Sequence, residues 1–352
     1  MPKPRPYVDN DCFDIPQDAK ATRLGGGRNS QTFRLDIPDR APMVLKRYFV
    51  DPRDKRDRQG TEARALKFLE AMEVRQAPLL LNINKSRQAS LLSFIPGDTI
   101  TEPAVAHMDL AARFLVRLLE ISATEKAREA GFFPASEAFF SATGVVKNIE
   151  DRLARLENVD KACPMRRDLL DFLECDLRPT LARRTKTCHN HLEVMRMTMD
   201  EEIPESWRIL SPSDFGLHNA VVHPDGDLSF FDYEYFGWDD PSKNLADFCL
   251  HPGMNLPDAL CLRFLSGVLP SIRAKGYNPN RAKALFPLFG VKWCCILLNE
   301  FVPRDLARRS FAWSQVGGEP VRMLRRQLDK AKKLLHSLDH RAEIFARHLD
   351  SL

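Results

Sequence analysis

The first part of the chain has the pattern of apolar residues that is typical of short β-strands. Between about residues 21 and 95, the runs TFRLDI, MVLKRYF, PLLLNI and ASLLSFI are apolar throughout or alternate with polar positions. One segment differs: across residues 55–73, apolar residues from Ala63 to Leu69 recur at helical intervals between charged side chains. The pattern therefore predicts an antiparallel sheet that carries a single amphipathic helix.

The pattern changes at Pro96-Gly97, because both residue types interrupt regular structure. Long helical segments follow, such as Val105–Ser122 and Val145–Leu156. We therefore predict an α+β protein with two parts. A small sheet-rich domain covers residues 1–95, and a larger, mostly helical domain covers residues 96–352.

Composition and charge limit the classes of function. The 352 residues are 44% hydrophobic, which is enough for one large two-lobed domain or for two ordinary domains. Lys and Arg number 52 against 48 Asp and Glu. The resulting net charge of +4 is too small to indicate nucleic-acid or membrane binding by electrostatics.

The chain has no predicted targeting or membrane segment. The opening MPKPRPYVDN has no apolar segment behind it, so we expect no secretory signal and a cytoplasmic location. Apolar stretches such as Val291–Leu298 fall short of the roughly 20 residues that a membrane-spanning helix needs. We therefore expect no such helix.

The eight cysteines are scattered without the even spacing of a disulfide framework, which indicates reduced thiols. Cys188, His189 and His191 are close enough in sequence to suggest a metal site. Their spacing matches none of the usual zinc patterns, however, and we favour the alternative that they are ordinary residues of a helix surface.

The strongest chemical signal is the segment Ser211–Asn219, SPSDFGLHN, and the apolar runs that follow it. Asp214 and Asn219 are five residues apart, and Asp232 lies eighteen residues beyond Asp214. Two apolar runs flank Pro224-Asp225-Gly226-Asp227, which predicts a hairpin between Asn219 and Asp232. Any one of the three polar residues alone would be typical of a turn, but the full set at this spacing matches the pattern of a known family.

This D-x-x-x-x-N loop, with its hairpin and following Asp, resembles that of the aminoglycoside phosphotransferase and choline kinase family, which has a two-lobed protein-kinase-like fold. The resemblance implies ATP and Mg²⁺ as cofactors. It implies that Asp214 is the catalytic base, which orients the acceptor hydroxyl and takes its proton. Asn219 and Asp232 would supply hard oxygen ligands to Mg²⁺.

The resemblance also implies nucleotide-binding residues upstream. A glycine-rich loop would cover the phosphates, Lys46 would meet them from the strand MVLK, and Glu62 on the following helix would orient Lys46. The end of the fifth strand would offer its backbone to the adenine. The simpler alternatives are a flexible turn, an edge-strand lysine, a solvated helix face and a buried strand. The predicted nucleotide-binding residues are Gly25, Gly26, Gly27, Ser30, Lys46, Glu62, Ser93, Phe94 and Ile95.

The catalytic loop departs from that of protein kinases. It has Pro212-Ser213-Asp214 and then Gly216, where protein kinases have H-R-D and a lysine two residues after the Asp. A protein kinase is therefore disfavoured. Pro212 also replaces the family's usual His, and its side chain can neither donate nor accept a hydrogen bond. The alternative function is therefore a catalytically impaired nucleotide-binding protein that acts as a regulator or scaffold.

The residues after the loop predict the class of acceptor. The quartet Asp232–Tyr235 is similar to the D-F-E-Y of choline and ethanolamine kinases, and nearby acidic residues would suit a cationic acceptor. Trp238 and Trp293 would either stack on the acceptor or belong to the helical core. Pro241 suits the first turn of a helix, which makes Asp240 its expected N-cap. The residues predicted to contact the acceptor are Glu234, Trp238, Asp239 and Glu300.

We therefore predict an ATP- and Mg²⁺-dependent phosphotransferase. It would transfer the γ-phosphate to a hydroxyl of a small molecule: a sugar, an amino alcohol or an aminoglycoside-like compound. Its predicted partners are ATP and this acceptor, with no nucleic acid and no membrane.

Overall fold

The computed structural model describes residues 13–25, 30–302 and 320–352. These residues form two compact units, in which the hairpin of the predicted helical part groups with the sheet-rich part. The first unit contains the described part of residues 1–99 and Ala220–Tyr235; the second contains Ile100–Asn219 and the described residues from Phe236 onward that belong to Phe236–Leu306 and Gly318–Leu352.

The first unit is built on a five-stranded antiparallel sheet. Alternating apolar side chains of the strands, such as Phe33 and Leu45, are buried in its core. Helix α1 (Arg58–Ala71) begins after Asp57, whose side chain accepts a backbone hydrogen bond and so caps the helix. The prediction of a sheet with an inserted helix is confirmed. The strands are β1 (Lys20–Leu24), β2 (Ser30–Asp36), β3 (Met43–Tyr48), β4 (Leu80–Asn84) and β5 (Ala89–Ser93), in the spatial order β1-β2-β3-β5-β4.

A second, three-stranded sheet completes this unit. It contains β6 (Asp98–Thr99), β8 (Ala220–Val222) and β9 (Leu228–Phe230), all antiparallel. In the turn between β8 and β9, Gly226 has a φ of 87° and donates its N–H to the carbonyl of His223 at 2.9 Å. The predicted hairpin is therefore confirmed, and β6 explains why it groups with the first unit.

The second unit is mostly helical, as predicted. Helices begin at residues such as Ser141 and Asp240, whose side chains accept backbone N–H groups. The predicted N-cap role of Asp240 is thus confirmed. The second unit also contains a short antiparallel pair of strands, β7 (Ile209–Ser211) and β10 (Gly237–Asp239). The helices are α2 (Val105–Ser122), α3 (Glu125–Glu129), α4 (Ala142–Glu157), α5 (Arg166–Phe172), α6 (Arg178–Val194, preceded by the π-helical segment Leu173–Leu177), α7 (Pro241–Leu250), α8 (Asp258–Ala274), α9 (Asn280–Leu297) and α10 (Pro320–Ser351).

Helix α9 is the central helix of the second unit, and nearly all of its side chains are buried. Helix α10 packs along it through the stacked rings of Phe286 and Phe345, whose centroids are 4.1 Å apart. With the 3₁₀ turn that follows, Asn280–Phe301 is the one described helix that is long and apolar enough to cross a membrane, yet 89% of its most apolar window is buried inside the protein. The apolar helix is thus longer than the stretch Val291–Leu298 considered from the sequence, because its buried residues begin upstream at Arg281.

The three residues that suggested a metal site do not converge. Cys188 is buried in α6, whereas His189 and His191 are exposed. The alternative, ordinary residues of a helix surface, describes His189 and His191, whereas Cys188 lies in the core. The seven described cysteines are free thiols, and Cys12 lies outside the described residues.

Candidate functional site

Lys46 on β3 lies at the centre of a cluster of carboxylates. Its Nζ is 2.8 Å from Oε2 of Glu62 on α1, 2.6 Å from Oδ1 of Asp232 and 3.7 Å from Oε2 of Glu234. Burial would lower the pKa of Lys46, but the three carboxylates outweigh it and raise this pKa well above the usual value. The lysine therefore stays charged, and the ion pair predicted between Lys46 and Glu62 is present.

Glu62 is fixed by hydrogen bonds as well as by the lysine. The hydroxyl of Tyr48 donates to its Oε2 at 2.5 Å, and the backbone N–H of Tyr233 donates to its Oε1 at 3.0 Å. Tyr48 lies two residues beyond Lys46 on β3 and therefore on the same face of the sheet. The sequence could therefore have indicated Tyr48 as a neighbour of Lys46, although the motifs considered above did not include it.

Asp232 and Glu234 follow strand β9 and face the same lysine. Asp232 adopts the left-handed backbone conformation, with a φ of 69°, which is uncommon for residues other than glycine and is found at many functional sites. Desolvation, together with the charges of Asp232 and Glu62, raises the pKa of Glu234 to about 7, although Lys46 and Arg58 oppose this. Glu234 was predicted to contact the acceptor, but its buried carboxylate is directed at Lys46 and Arg58 instead.

In the second unit, Asp214 lies on the loop after β7 and meets two histidines. Its Oδ1 is 3.2 Å from Nε2 of His218 and 3.5 Å from Nε2 of His251. Desolvation would raise the pKa of Asp214, but the two imidazoles outweigh it and hold this pKa well below the usual value. The carboxylate is therefore ionised. Its side chain keeps 37% of its surface exposed, so it is accessible to a ligand.

Asn219 ends a 3₁₀ turn, Leu217–Asn219, that closes the loop. Its Nδ2 donates to the backbone carbonyl of Asp214 at 2.9 Å, which orients the amide. Within residues 30–302, no group donates a hydrogen bond to its Oδ1. The amide oxygen of Asn219 and the carboxylate oxygens of Asp232 are each hard donors of the kind that Mg²⁺ prefers.

Lys243 of α7 supports the loop through hydrogen bonds to Ser213. Its Nζ donates to the carbonyl of Ser213 at 3.2 Å and to the Ser213 hydroxyl at 3.0 Å, and it pairs with Oδ2 of Asp239 at 2.9 Å. Ser213 has a φ of 68°, another left-handed backbone conformation next to a candidate functional residue. Asp239 was predicted to contact the acceptor. It is completely buried, however, and its carboxylate pairs with Lys243.

Gly216 permits the histidine contact. A Cβ at this position would lie 2.7 Å from Sδ of Met254 and 2.8 Å from Nδ1 of His218. Real Cβ atoms do not approach other atoms so closely. Gly216 therefore leaves room for the side chains of His218 and Met254, besides marking the departure of the loop from protein kinases.

Trp293 of α9 connects His251 to Asp247, which lies next to Lys243. The two rings meet edge to face with centroids 4.5 Å apart, and Nε1 of Trp293 donates to Oδ1 of Asp247 at 2.7 Å. Asp247 in turn lies 3.4 Å from Nζ of Lys243. Trp293 is buried and belongs to the core, which was the simpler of its two predicted roles.

The remaining predicted nucleotide residues lie at the two ends of the first sheet. Ser30 is buried at the start of β2, and Gly25 follows β1. Ser93 donates its N–H to the carbonyl of Leu79. Phe94 donates its N–H to a carbonyl 3.3 Å away, whereas in the described chain the amide of Ile95 makes no protein hydrogen bond. The predicted loop residues Gly26 and Gly27 lie outside the described residues.

Two further predicted acceptor residues lie in the second unit. Trp238 on β10 is half-buried, and its backbone pairs with Phe133 and Ala135. Glu300 is buried and accepts a hydrogen bond from Nε2 of Gln327 on α10 at 3.4 Å. Glu300 therefore faces the protein interior and does not present a charge to solvent.

The comparisons with known proteins concern the fold. The sequence matches no family model and no curated protein. Among solved structures, the chain is similar to an ethanolamine kinase from Plasmodium vivax, with a TM-score of 0.58 and 12% identity over 92% of this chain and 84% of that one. It is similar to a choline kinase from Streptococcus pneumoniae, with a TM-score of 0.57 and 13% identity over 93% and 97%. It also matches an ADP-bound aminoglycoside phosphotransferase, with a TM-score of 0.54 and 15% identity over 96% and 99%.

The chain has a protein-kinase-like fold. The resemblance that the loop and hairpin predicted is thus confirmed at the level of the fold. The protein-kinase-like fold also explains why Lys46, Glu62 and Asp232 meet although they are far apart in sequence. His218 and His251 are the residues that the motif did not predict: His218 lies inside the loop motif, but nothing near His251 in the sequence signals its contact with Asp214.

Proposed function

We propose that the protein is a phosphotransferase that uses ATP and Mg²⁺ to phosphorylate a hydroxyl of a small molecule. The observation that carries the proposal is the buried Lys46, held between Glu62 and Asp232 on a protein-kinase-like fold. A lysine fixed in this way is suited to phosphate oxygens, because it is charged, ordered and positioned before the nucleotide arrives. The similar aminoglycoside phosphotransferase structure contains ADP, which supports nucleotide use.

In this proposal each residue has a separate role. Lys46 would bind phosphate oxygens of ATP, and Asn219 and Asp232 would each supply an oxygen ligand to Mg²⁺, whose charge would neutralise that of the phosphates. The ionised Asp214 accepts a hydrogen bond from the acceptor hydroxyl and aligns it for attack. Because the pKa of Asp214 is low, its first contribution is to orient the hydroxyl, and the proton follows as the new bond forms.

The acceptor in this proposal is a small alcohol of the classes predicted above: a sugar, an amino alcohol or an aminoglycoside-like compound. The names of the similar structures, ethanolamine kinase, choline kinase and aminoglycoside phosphotransferase, support that range. Trp238 remains a proposed acceptor contact, because it is half-buried rather than enclosed.

The test is acceptor-dependent release of ADP. Purified protein with Mg²⁺ and ATP would be screened against sugars, amino alcohols and aminoglycosides, and Asp214→Asn would serve as the matched control because it keeps the size of the side chain. We expect ADP release with at least one acceptor, and a loss of about 100-fold or more in the variant.

The alternative function makes a different prediction in the same assay. A regulator or scaffold would bind ATP in the presence of Mg²⁺ and release no ADP with any acceptor. That result, or equal release by wild type and Asp214→Asn, would contradict the proposed activity. The contacts of Lys243 with Ser213 support an active loop, since they fix the residue between Pro212 and Asp214 by other means than a histidine.

A further inference from the structure

Two imidazoles converge on one carboxylate oxygen. The Nε2 atoms of His218 and His251 lie 3.2 Å and 3.5 Å from Oδ1 of Asp214. The two rings are stacked, with centroids 3.8 Å apart and planes 4° from parallel. Both of these imidazole contacts are made with Oδ1 of Asp214, and no hydrogen bond to Oδ2 is found among the described residues. Oδ2 is therefore the oxygen that remains for a ligand.

The hydrogen bond at the far side of His251 determines which of its nitrogens carries the hydrogen. The backbone N–H of Gly253 donates to Nδ1 of His251 at 3.1 Å. An Nδ1 that accepts a hydrogen bond carries no hydrogen, so the neutral ring has its hydrogen on Nε2. That hydrogen is directed at Asp214, and the edge-to-face contact with Trp293 fixes the plane of the ring.

The surroundings of His218 lead to the same tautomer. Its Nδ1 is buried and has no hydrogen-bond partner among the described residues. A hydrogen on Nδ1 would be a buried donor without an acceptor, which is costly, whereas a hydrogen on Nε2 faces the carboxylate. Both rings are therefore donors to the same oxygen.

The same three residues also have the composition of a metal site, since their ligand atoms lie within 4.8 Å of one another. A metal would need the lone pair of each Nε2, but the hydrogen bond from Gly253 places the lone pair of His251 on Nδ1. The buried Nδ1 of His218, which has no hydrogen-bond partner among the described residues, places the hydrogen of that ring on Nε2 as well, so neither Nε2 offers a lone pair to a metal. These contacts favour hydrogen bonding over metal binding.

We infer that His218 and His251 are a pair of positioning residues, whose Nε2–H groups both donate to Oδ1 of Asp214 and so direct Oδ2 toward the hydroxyl of the phosphoryl acceptor. The role in catalysis rests on the proposed function. Two donors on one oxygen restrict rotation of the carboxylate, which is the kind of preorganisation that aligns a reacting group. The side chain of Pro212 cannot give this support, whereas the two imidazoles contact the carboxylate directly.

The hydrogen positions can be tested without any activity. In ¹⁵N-histidine-labelled protein, long-range ¹H–¹⁵N correlation spectra distinguish the two neutral tautomers, and His218→Phe and His251→Phe assign the two signals. We expect the hydrogen on Nε2 in both rings. A hydrogen on Nδ1 of His251, or disappearance of its tautomer pattern on addition of Zn²⁺ at a stoichiometric concentration, would overturn the inference in favour of another tautomer or a metal site.

The role in catalysis is tested by a matched pair of variants. His251→Phe keeps an aromatic ring against His218 and Trp293 but removes the donor, whereas His251→Gln keeps a donor and removes the ring. We expect kcat for ADP release to fall about tenfold in His251→Phe, with the KM for ATP and the Tm unchanged, and to recover largely in His251→Gln.

Two results would contradict this role. One is a wild-type kcat in His251→Phe; the other is equal loss of kcat in both variants together with an equally lowered Tm, which would indicate packing alone. If the wild type releases no ADP with any acceptor, the proposed function fails. The tautomer spectra then still decide whether the two donors hold Asp214.

Discussion

At the scale of single residues, the charge of Lys46 stabilises the carboxylates that surround it. Three carboxylates lie within 3.7 Å of one ammonium group, and the lysine, Glu62 and Glu234 are almost completely buried. Removing one partner of a buried ion pair strongly destabilises the folded protein, because the remaining buried charge has no compensation. The lysine therefore has a structural role in the free protein besides its proposed role in nucleotide binding.

We accordingly expect Lys46→Met to destabilise the nucleotide-free protein. Three neighbouring carboxylates would lose their shared cation, so the free energy of unfolding should fall by about 3 kcal/mol at neutral pH. Urea unfolding without nucleotide measures the change. Lys67→Met, on the exposed face of α1, is the matched control and should change stability by less than about 0.5 kcal/mol. Equal stability of the two variants would show that the carboxylates do not depend on Lys46.

Glu234 gives a prediction about pH. Its pKa is about 7 in the folded protein against a usual value of 4.5, so the folded state keeps a proton that the unfolded chain releases in this range. Stability from this group is therefore fully present below pH 4.5 and is lost as pH rises through 7. Glu234→Gln cannot ionise and avoids that loss.

We expect the variant to gain stability relative to wild type by on the order of 2 kcal/mol between pH 5 and pH 8. Urea unfolding of both proteins at several pH values, without Mg²⁺ or nucleotide, measures the difference. Glu70→Gln, on the exposed face of α1, provides the comparison for a change outside the cluster. A constant difference between Glu234→Gln and wild type across this range would rule out the proposed ionisation.

The sequence predicted some contacts of the site and missed others. The contact between Lys46 and Glu62 followed from the resemblance to the phosphotransferase family, because a shared fold brings together the strand and the helix that carry them. The partners of Asp214 did not follow, because His251 reaches it only through the packing of the segment after α7. The burial of the acidic residues proposed for the acceptor was not predicted for a related reason: tertiary contacts that spacing does not reveal place Asp239 and Glu300 in the interior.

At the scale of elements, the loop Ser211–Asn219 is held by helices on which it does not lie. Lys243 of α7 contacts Ser213, and Trp293 of α9 contacts His251. Asp247 of α7 lies between these two supports, bonded to Trp293 and close to Lys243. The position of the loop therefore depends on how α7 packs against α9, and through α9 on the contact with α10.

Periodicity predicted these elements better than their packing. The bounds of Val105–Ser122 agree with the helix predicted from its apolar spacing, and the hairpin formed where two apolar runs flank a turn. The approach of α9 to α10 could not be predicted, since it depends on Gly290 of one helix meeting Leu338 of the other. Such a contact joins residues that no local pattern relates.

The close approach of these helices can be tested by a double-mutant cycle. A Cβ at Gly290 would overlap Cδ1 of Leu338, so Gly290→Ala should destabilise the protein by about 1–3 kcal/mol through overpacking. Leu338→Ala alone leaves a cavity and should cost about 2–5 kcal/mol. In the double variant the new methyl group occupies part of that cavity. The combined loss in urea unfolding should therefore be smaller than the sum, and an additive result would contradict the contact.

At the scale of the whole molecule, ligand binding is linked to the unfolding of the chain. A ligand that binds only the folded state raises its stability, by about 2.7 kcal/mol when its concentration is 100 times Kd. If Lys46 and Asp232 bind the nucleotide and its metal, this gain should need both ATP and Mg²⁺. Asp214, which is proposed to face the acceptor, should not contribute to it.

We therefore expect ATP with Mg²⁺ to raise the Tm by several degrees, and ATP with excess chelator to raise it much less. Asp214→Asn should keep this rise although it loses phosphotransfer, whereas Lys46→Met should lose it. Thermal unfolding with increasing ATP measures all four cases. A rise that survives in Lys46→Met would place the nucleotide elsewhere, and a rise lost in Asp214→Asn would mean that Asp214 acts on the nucleotide and not on the acceptor. The pattern thus separates nucleotide binding from acceptor alignment before any acceptor has been identified.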